Sequence, residues 1–160
     1  PMINRLAKAM VARLKDQLPG WDVDDFPDAP DRYGWAHQSQ TLLVGFEAST
    51  YGEPESLDPV SMTREIDMGV TILCRSLHGD LSIASALEDI RRALMGWRPL
   101  CADGAPFGTR ALRPLSERFV DEVQGVYRFV ALYRGATTCA AEILTLSGPP
   151  LKGISTVEHP

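Results

Sequence analysis

The sequence predicts an α+β fold: a single domain in which a mainly antiparallel β-sheet packs against an N-terminal helix (about 3–18) and a second helix (about 80–95). Three observations predict it. Between Arg64 and Arg75, Ile66, Met68, Val70, Ile72 and Cys74 alternate with Glu65, Asp67, Gly69, Thr71 and Leu73, the period of a strand with one unbroken apolar face. Ile83, Leu87, Ile90 and Leu94 then recur at helical spacing and provide a cover for that face. Further on, Ala111–Asp121 and Val126–Thr137 flank Glu122-Val123-Gln124-Gly125 and read as a hairpin.

Taken in order, Ile3, Leu6, Met10, Leu14 and Leu18 form the apolar stripe of the first helix, which Pro19-Gly20 ends. Trp21 to Phe26 reads as a short edge strand with Trp21 and Val23 inward, its aspartates outward, and Pro27 closing it. Pro27 to Trp35 is loop. Gln40 to Glu47 alternates as a strand, with Leu42, Val44 and Phe46 on one face. Ala48 to Met62 holds Gly52, Pro54 and Pro59 and reads as a protruding loop joining that strand to the central one. Beyond the central strand, Asp80 or Ser82 caps the second helix and Gly96 stops it. Trp97 to Gly108 is a second long loop, and Pro114 belongs at a strand start or a sheet edge. In the last strand Tyr127, Phe129 and Tyr133 point into the core. Past Ile143 no period persists, so the domain is expected to span 1–144, with 145–160 a tail that orders only on assembly.

A chain of 160 residues, 44% hydrophobic and 23% charged, is large enough to bury a core without disulfides or metal staples. Cys74, Cys101 and Cys139 are odd in number and widely spaced, as expected of reduced thiols in a cytosolic setting. No apolar run approaches a membrane span, and the basic, amphipathic N-terminus does not read as a secretory signal. Charge is unevenly placed. From Gly20 to Asp67 eleven acidic residues stand against Arg32 and Arg64, whereas 75–134 carries nine arginines against seven acids. If the two regions fall on different faces, copies of the chain can meet head to tail, the arrangement from which rings are built. On this reading the interface between copies draws on Asp22, Asp24, Asp25, Asp28, Glu53, Glu55 and Asp58 on the acidic side. Arg113, Arg118, Arg128 and Arg134 form the basic side and pair with carboxylates of a neighbouring subunit.

Chemical motifs are weak throughout. Cys74 and His78 are four apart, but Cys74 belongs to an apolar strand face and reads as a structural thiol. His37 and His159 have no Cys or His at metal-ligand spacing. The run Asp22-Val23-Asp24-Asp25 lacks the glycine turn and terminal glutamate of a calcium loop. Gly104-Ala105-Pro106-Phe107-Gly108 lacks the Lys-Ser/Thr ending of a phosphate loop. No catalytic, cofactor-binding or metal-ligating residue is therefore assigned. An enzyme using Cys74, Cys101 or His78, and a ligand-binding module around Trp97, are the readings of a different class.

The order of landmarks resembles the Mu-like tail terminator (tail completion) proteins of contractile-tailed phages and phage-like particles. It is carried by Met2-Ile3 through Ala12-Arg13-Leu14-Lys15, Phe26-Pro27-Asp28, Thr41-Leu42-Leu43-Val44 and Thr63-Arg64-Glu65-Ile66. Val70-Thr71-Ile72-Leu73, Arg75-Ser76-Leu77-His78-Gly79, Ala93-Leu94, Gly96-Trp97-Arg98-Pro99, Glu117-Arg118-Phe119-Val120 and Gly125-Val126-Tyr127 complete it. The resemblance implies a structural virion protein without catalytic residues. It would form a ring, usually of six, that caps the tail tube, stops its polymerisation and docks the neck or head. The implied partners are further copies of the chain, the tail tube protein, the sheath protein and the neck or head connector. DNA would pass through the lumen without specific binding, no membrane is involved, and assembly takes place in the host cytoplasm. A neck or head-completion ring protein of the same particle is the alternative within this class. The long segments 48–62 and 97–110 are then expected to reach axially toward tube or neck.

Overall fold

Leu6, Met10 and Leu14 fall on one side of a helix and are at most 2% exposed in the computed structural model, which describes residues 2–35, 39–100, 104, 108 and 110–142. That helix, α1 (Met2–Gln17), ends at Pro19-Gly20 and turns the chain into β1 (Asp22–Asp25). β1 lies parallel to β2 (Gln40–Leu57), pairing Val23 with Leu42. A parallel neighbour requires a crossover rather than a tight turn. Its described part carries a short 3-10 turn at Pro30–Arg32. The antiparallel sheet expected from the sequence thus gains one parallel edge strand, the part of the topology that residue periodicity does not encode.

β3 (Val60–Cys74) is central, hydrogen-bonded to β2 on one side and to β5 (Val126–Ala140) on the other; β4 (Arg110–Val123) completes the sheet in the order β1-β2-β3-β5-β4. Its predicted apolar face is buried throughout: Met68, Val70 and Ile72 are fully enclosed, and Ile66 and Cys74 are 2% exposed. Tyr133 and Ala131 of β5 extend this face beside Met68 and Val70, and α1 and α2 (Ile83–Leu94) cover it. Ser82 caps α2, accepting from the Ser85 N–H while the Ser85 hydroxyl accepts from the Ser82 N–H, and Gly96 takes positive φ just beyond the helix. Arg13 joins the helices: its Nε donates to the Ala93 carbonyl at 3.0 Å and its guanidinium lies over the Trp97 ring. The β4–β5 turn places Gln124 and Gly125 both at positive φ, as a two-residue hairpin turn matched to strand twist demands.

The opposite face of the sheet is covered in part by the crossover. Leu43, Leu73 and Val126 form a small second cluster under Tyr33 and Trp35, and the Trp35 indole N–H donates to the Pro30 carbonyl at 2.8 Å.

One expectation is corrected. Residues 48–62 are a paired arm rather than a loop: β2 runs on to Leu57 and β3 begins at Val60, with ladder pairs from Ala48–Asp67 to Leu57–Val60 around Asp58-Pro59. β5 follows β3 out along the arm as far as Ala140, opposite Ser61. Gly52 and Pro54 do not break β2 because β1 pairs only with Thr41–Val44, so the arm half of β2 is a sheet edge, and Pro54 sits between register shifts. The arm lacked a strand signature because both of its faces meet solvent. Of the second long segment, the described part begins pinned to β4 through Gly96 N–H to Leu112 O and Leu112 N–H to Trp97 O. The tail 145–160 lies outside the described residues.

Candidate functional site

The arginines of β4 and β5 fall into two groups once their partners are traced. Arg134, on β5, donates through Nε and a terminal nitrogen to both oxygens of Asp67 at 2.7 and 3.0 Å, and its other terminal nitrogen lies 3.0 Å from Glu65. Asp67 is 7% exposed, whereas the Arg134 side chain keeps 25% of its surface in water. The Asp67 hydrogen bonds and the two carboxylate charges raise the Arg134 pKa against the opposing effect of burial. Arg128 makes a bidentate contact with Asp121, across the β4–β5 ladder, and stacks over Trp35 with 4.8 Å between guanidinium and ring centroid. Arg128 and Arg134 therefore take carboxylates of their own chain, where the sequence led to an expectation of partners in a neighbouring one. The reason is cross-strand register, which sets Asp67 opposite Arg134 and Asp121 opposite Arg128.

Arg113 and Arg118 differ. Both are exposed on the edge strand β4, and neither has an ion-pair partner among the described residues. At the other end of the sheet, Asp22, Asp24 and Asp25 are exposed on edge strand β1, with Asp28 exposed just beyond. Register links the two ends directly: Asp24 pairs with Leu43, Leu43 with Thr71, Thr71 with Val130, and Val130 with Arg118. Asp24 and Arg118 thus close the two ends of one cross-strand row and share one face of the sheet. Burial, then Asp24, then Asp22 raise the Tyr33 pKa, consistent with both aspartates lying on that face beside the crossover. The remaining acids of the predicted set, Glu53, Glu55 and Asp58, are exposed along the arm, where Glu55 accepts the Thr63 hydroxyl at 2.6 Å.

Apolar exposure follows the same geography. An open groove of ≈ 640 Å³ lies between the start of α1 and the β1–β2 edge, lined by Ile3, Ala7, Lys8, Asp28, Phe26 and Phe46 among others. Phe26 is 39% and Phe46 47% exposed. The sequence places Phe46 inward, and its row does run through Met68 to Tyr133, but it stands where helix cover ends. The arm tip carries Leu57, 78% exposed, and Val60, 39% exposed. The exposure of these four side chains is not legible in the sequence, since only contact geometry distinguishes an uncovered apolar residue from a core one.

Little here resembles chemistry. Cys74 is buried with its thiol 3.5 Å from the Leu81 carbonyl oxygen, while His78 is exposed in the following turn. Trp97 is taken up by its contact with Arg13. Burial, reinforced by Glu117, pushes the Tyr133 phenol up to about 12, so it stays neutral in the core. Among the described residues no three His, Cys, Asp or Glu side chains converge as a metal site, and no helix is long and apolar enough to cross a membrane. His37, Cys101 and His159 lie outside the described residues.

The described residues form an α+β domain with exposed charged groups at both edges of its sheet and along a projecting arm. The sequence profile of the Gp37 protein family matches residues 10–156, and the chain belongs to that family. The match passes the expected boundary at 144 and takes in most of the tail. No curated protein matches the chain. Among solved structures, a chain from a structure titled "Virion of native gene transfer agent (GTA) particle" aligns with 84% of this chain and 95% of its own length. The alignment has a TM-score of 0.47 and 14% identity, too distant a likeness to carry a functional argument.

Proposed function

We propose that this chain is a structural virion protein: a non-enzymatic tail terminator whose copies close into a ring, of six by the resemblance, at the end of the tail tube of a phage or phage-like particle. The ring halts tube growth and presents a docking surface to the neck. The order of sequence landmarks supports the choice of particle and position. The observation that carries the ring is the row joining Asp24 to Arg118. A heterologous, head-to-tail interface needs two different complementary patches on one subunit. Here they are the two edges of one sheet, acidic at β1 and basic at β4. The directions agree as well. β1 and β4 run in opposite senses across the sheet. Rotation about an axis along the strands would therefore set β1 of one copy antiparallel to β4 of the next, with Asp24 facing Arg118.

Light scattering on the protein alone and with its tail tube protein tests this. A ring, or a single chain that becomes a ring on tube ends and stops their growth, is the expected result; a single chain indifferent to tubes overturns it. Arg118→Glu should weaken association about tenfold at low salt and less at high salt, as should Asp24→Arg, while the double exchange restores it. Equal assembly of all three at every salt concentration would remove the β1–β4 contact.

A further inference from the structure

Arg118 ends one cross-strand row at the β4 edge, and its two neighbours end rows on the opposite face of the sheet. Phe119 pairs with Phe129 and Glu117 with Ala131, both of which belong to the core that α1 and α2 cover. Phe119 is nonetheless 53% exposed, its ring set edge-on to Phe129 with centroids 5.4 Å apart, and Glu117 is exposed beside it. We propose that this helix-side strip of β4 meets the β1 edge of a second copy, where Phe119 anchors the contact against α1 and Glu117 opposes it across from Asp25. This rests on the reading that copies join β1 to β4, and it assigns the other face of that junction.

Three observations select the β1 edge of a copy as what covers Phe119. The first is register. The row through Phe119 runs by way of Phe129, Ile72 and Leu42 to Val23, the residue next to Asp24. With Asp24 facing Arg118 of the next copy, Val23 faces that copy's Phe119 on the helix side. The second is the flank of α1. Arg13 faces α2 through the Ala93 carbonyl, and Val11, two residues earlier, lies about 200° around the helix from it, on the flank away from α2. α1 runs antiparallel to β1, since Lys8 lines a groove with Asp25 at the end of β1 while the Trp21 N–H, just before its start, donates to the Leu18 carbonyl. Val11 is therefore level with the middle of β1, and it is only partly buried although it packs against the core. An aromatic side chain entering there carries the apolar core across the junction, as anchoring residues do at interfaces. The third is that β4 exposes one other large apolar side chain among the described residues, Val123, which pairs with Val126 on the crossover face. Phe119 is thus the apolar group that the helix side of this edge has to offer.

Glu117 acts in the opposite sense. Its row runs through Ala131, Val70 and Val44 to Asp25, and both carboxylates are exposed. The register that joins Asp24 to Arg118 therefore sets Asp25 across from Glu117, and like charges directly opposite destabilise a strand pair. Lys8 near Asp25 and Arg91 near Glu117 temper that repulsion. Three consecutive residues of β4 thus contribute with different signs and different salt dependence. A slip of one residue would move each of them to the other face, so the pattern is specific to this register.

Association measured by light scattering over a dilution series, at low and high salt, reads the positions separately, with the tail tube protein added if the parent needs it to associate. Phe119→Ser should weaken association about tenfold, by a similar factor at both salt concentrations, while Phe119→Leu keeps most of the parent's affinity. Glu117→Gln should strengthen association about threefold at low salt and by less at high salt. That gain cannot come from a misfolded chain. Phe119→Ser associating like the parent, or Glu117→Gln associating no better than the parent, would overturn the proposal. If either occurs while the exchange at Arg118 and Asp24 still controls assembly, the helix-side contact falls and the β1–β4 junction stands. If that exchange has no effect either, the ring reading falls with it.

Discussion

The ribbon of β2 and β3 is one hairpin with two halves that live under different rules. In the body, Leu42, Val44, Val70 and Ile72 lie under two helices and are at most 1% exposed. In the arm, residues 50–60 are all exposed. The same backbone ladder runs through both, but only the body half removes apolar surface from water. Beyond the body the ribbon is held by its ladder, by Arg64 over Tyr51 at 5.5 Å, and by Thr63 donating to Glu55. At the transition between halves, Asp67 and Glu65 hold Arg134 where Glu47 interrupts the register. A segment that contributes little to folding and still keeps an ordered pairing is available for contacts with another molecule.

Ile72→Ala should give the largest break in this comparison. Truncating a fully buried side chain between the sheet and its helices is expected to cost about 3–4 kcal/mol, measured as a lower denaturation midpoint in urea. A loss under 1 kcal/mol would mean that the body half is not the stabilising one. Next in size is the pH response of Tyr133. The unfolded phenol ionises near 10 and the folded one only at about 12, so between those values the unfolded chain binds fewer protons and stability falls as pH rises. The contribution is intact below pH 10 and levels off above 12. Unfolding free energy should therefore drop by up to about 1.4 kcal/mol per pH unit more in the parent than in Tyr133→Phe; parallel profiles would contradict the burial assigned to this ring. Smallest is Tyr51→Ser in the arm, expected within about 0.5 kcal/mol of the parent. A cost of 2 kcal/mol there would show that the arm is part of the folding core after all.

Much of the body was legible because its signals are local. Helical spacing named Leu6, Met10, Leu14, Ile83, Ile90 and Leu94; alternation named Ile66 to Cys74; and Gln124-Gly125 marked the second hairpin. The arm was not, because a strand solvated on both faces shows no alternation, and Gly52, Pro54 and Pro59 look like breakers until an edge position makes them permissible. The candidate surface divided the same way. Acidic and basic residues can be counted in the sequence, but their availability cannot, since Arg128, Arg134, Arg113 and Arg118 are chemically alike.

By itself, then, the sequence determined the α+β class, the helices, the central strand and the excess of charge in each half of the chain, all of which follow from side chains a few residues apart. Only the tertiary structure decided that β1 joins in parallel, that residues 48–62 pair, and that two arginines are spent within the chain while Arg118 ends a row begun by Asp24. Each of those depends on register between strands distant in sequence, and register is settled when the whole sheet buries its apolar face at once.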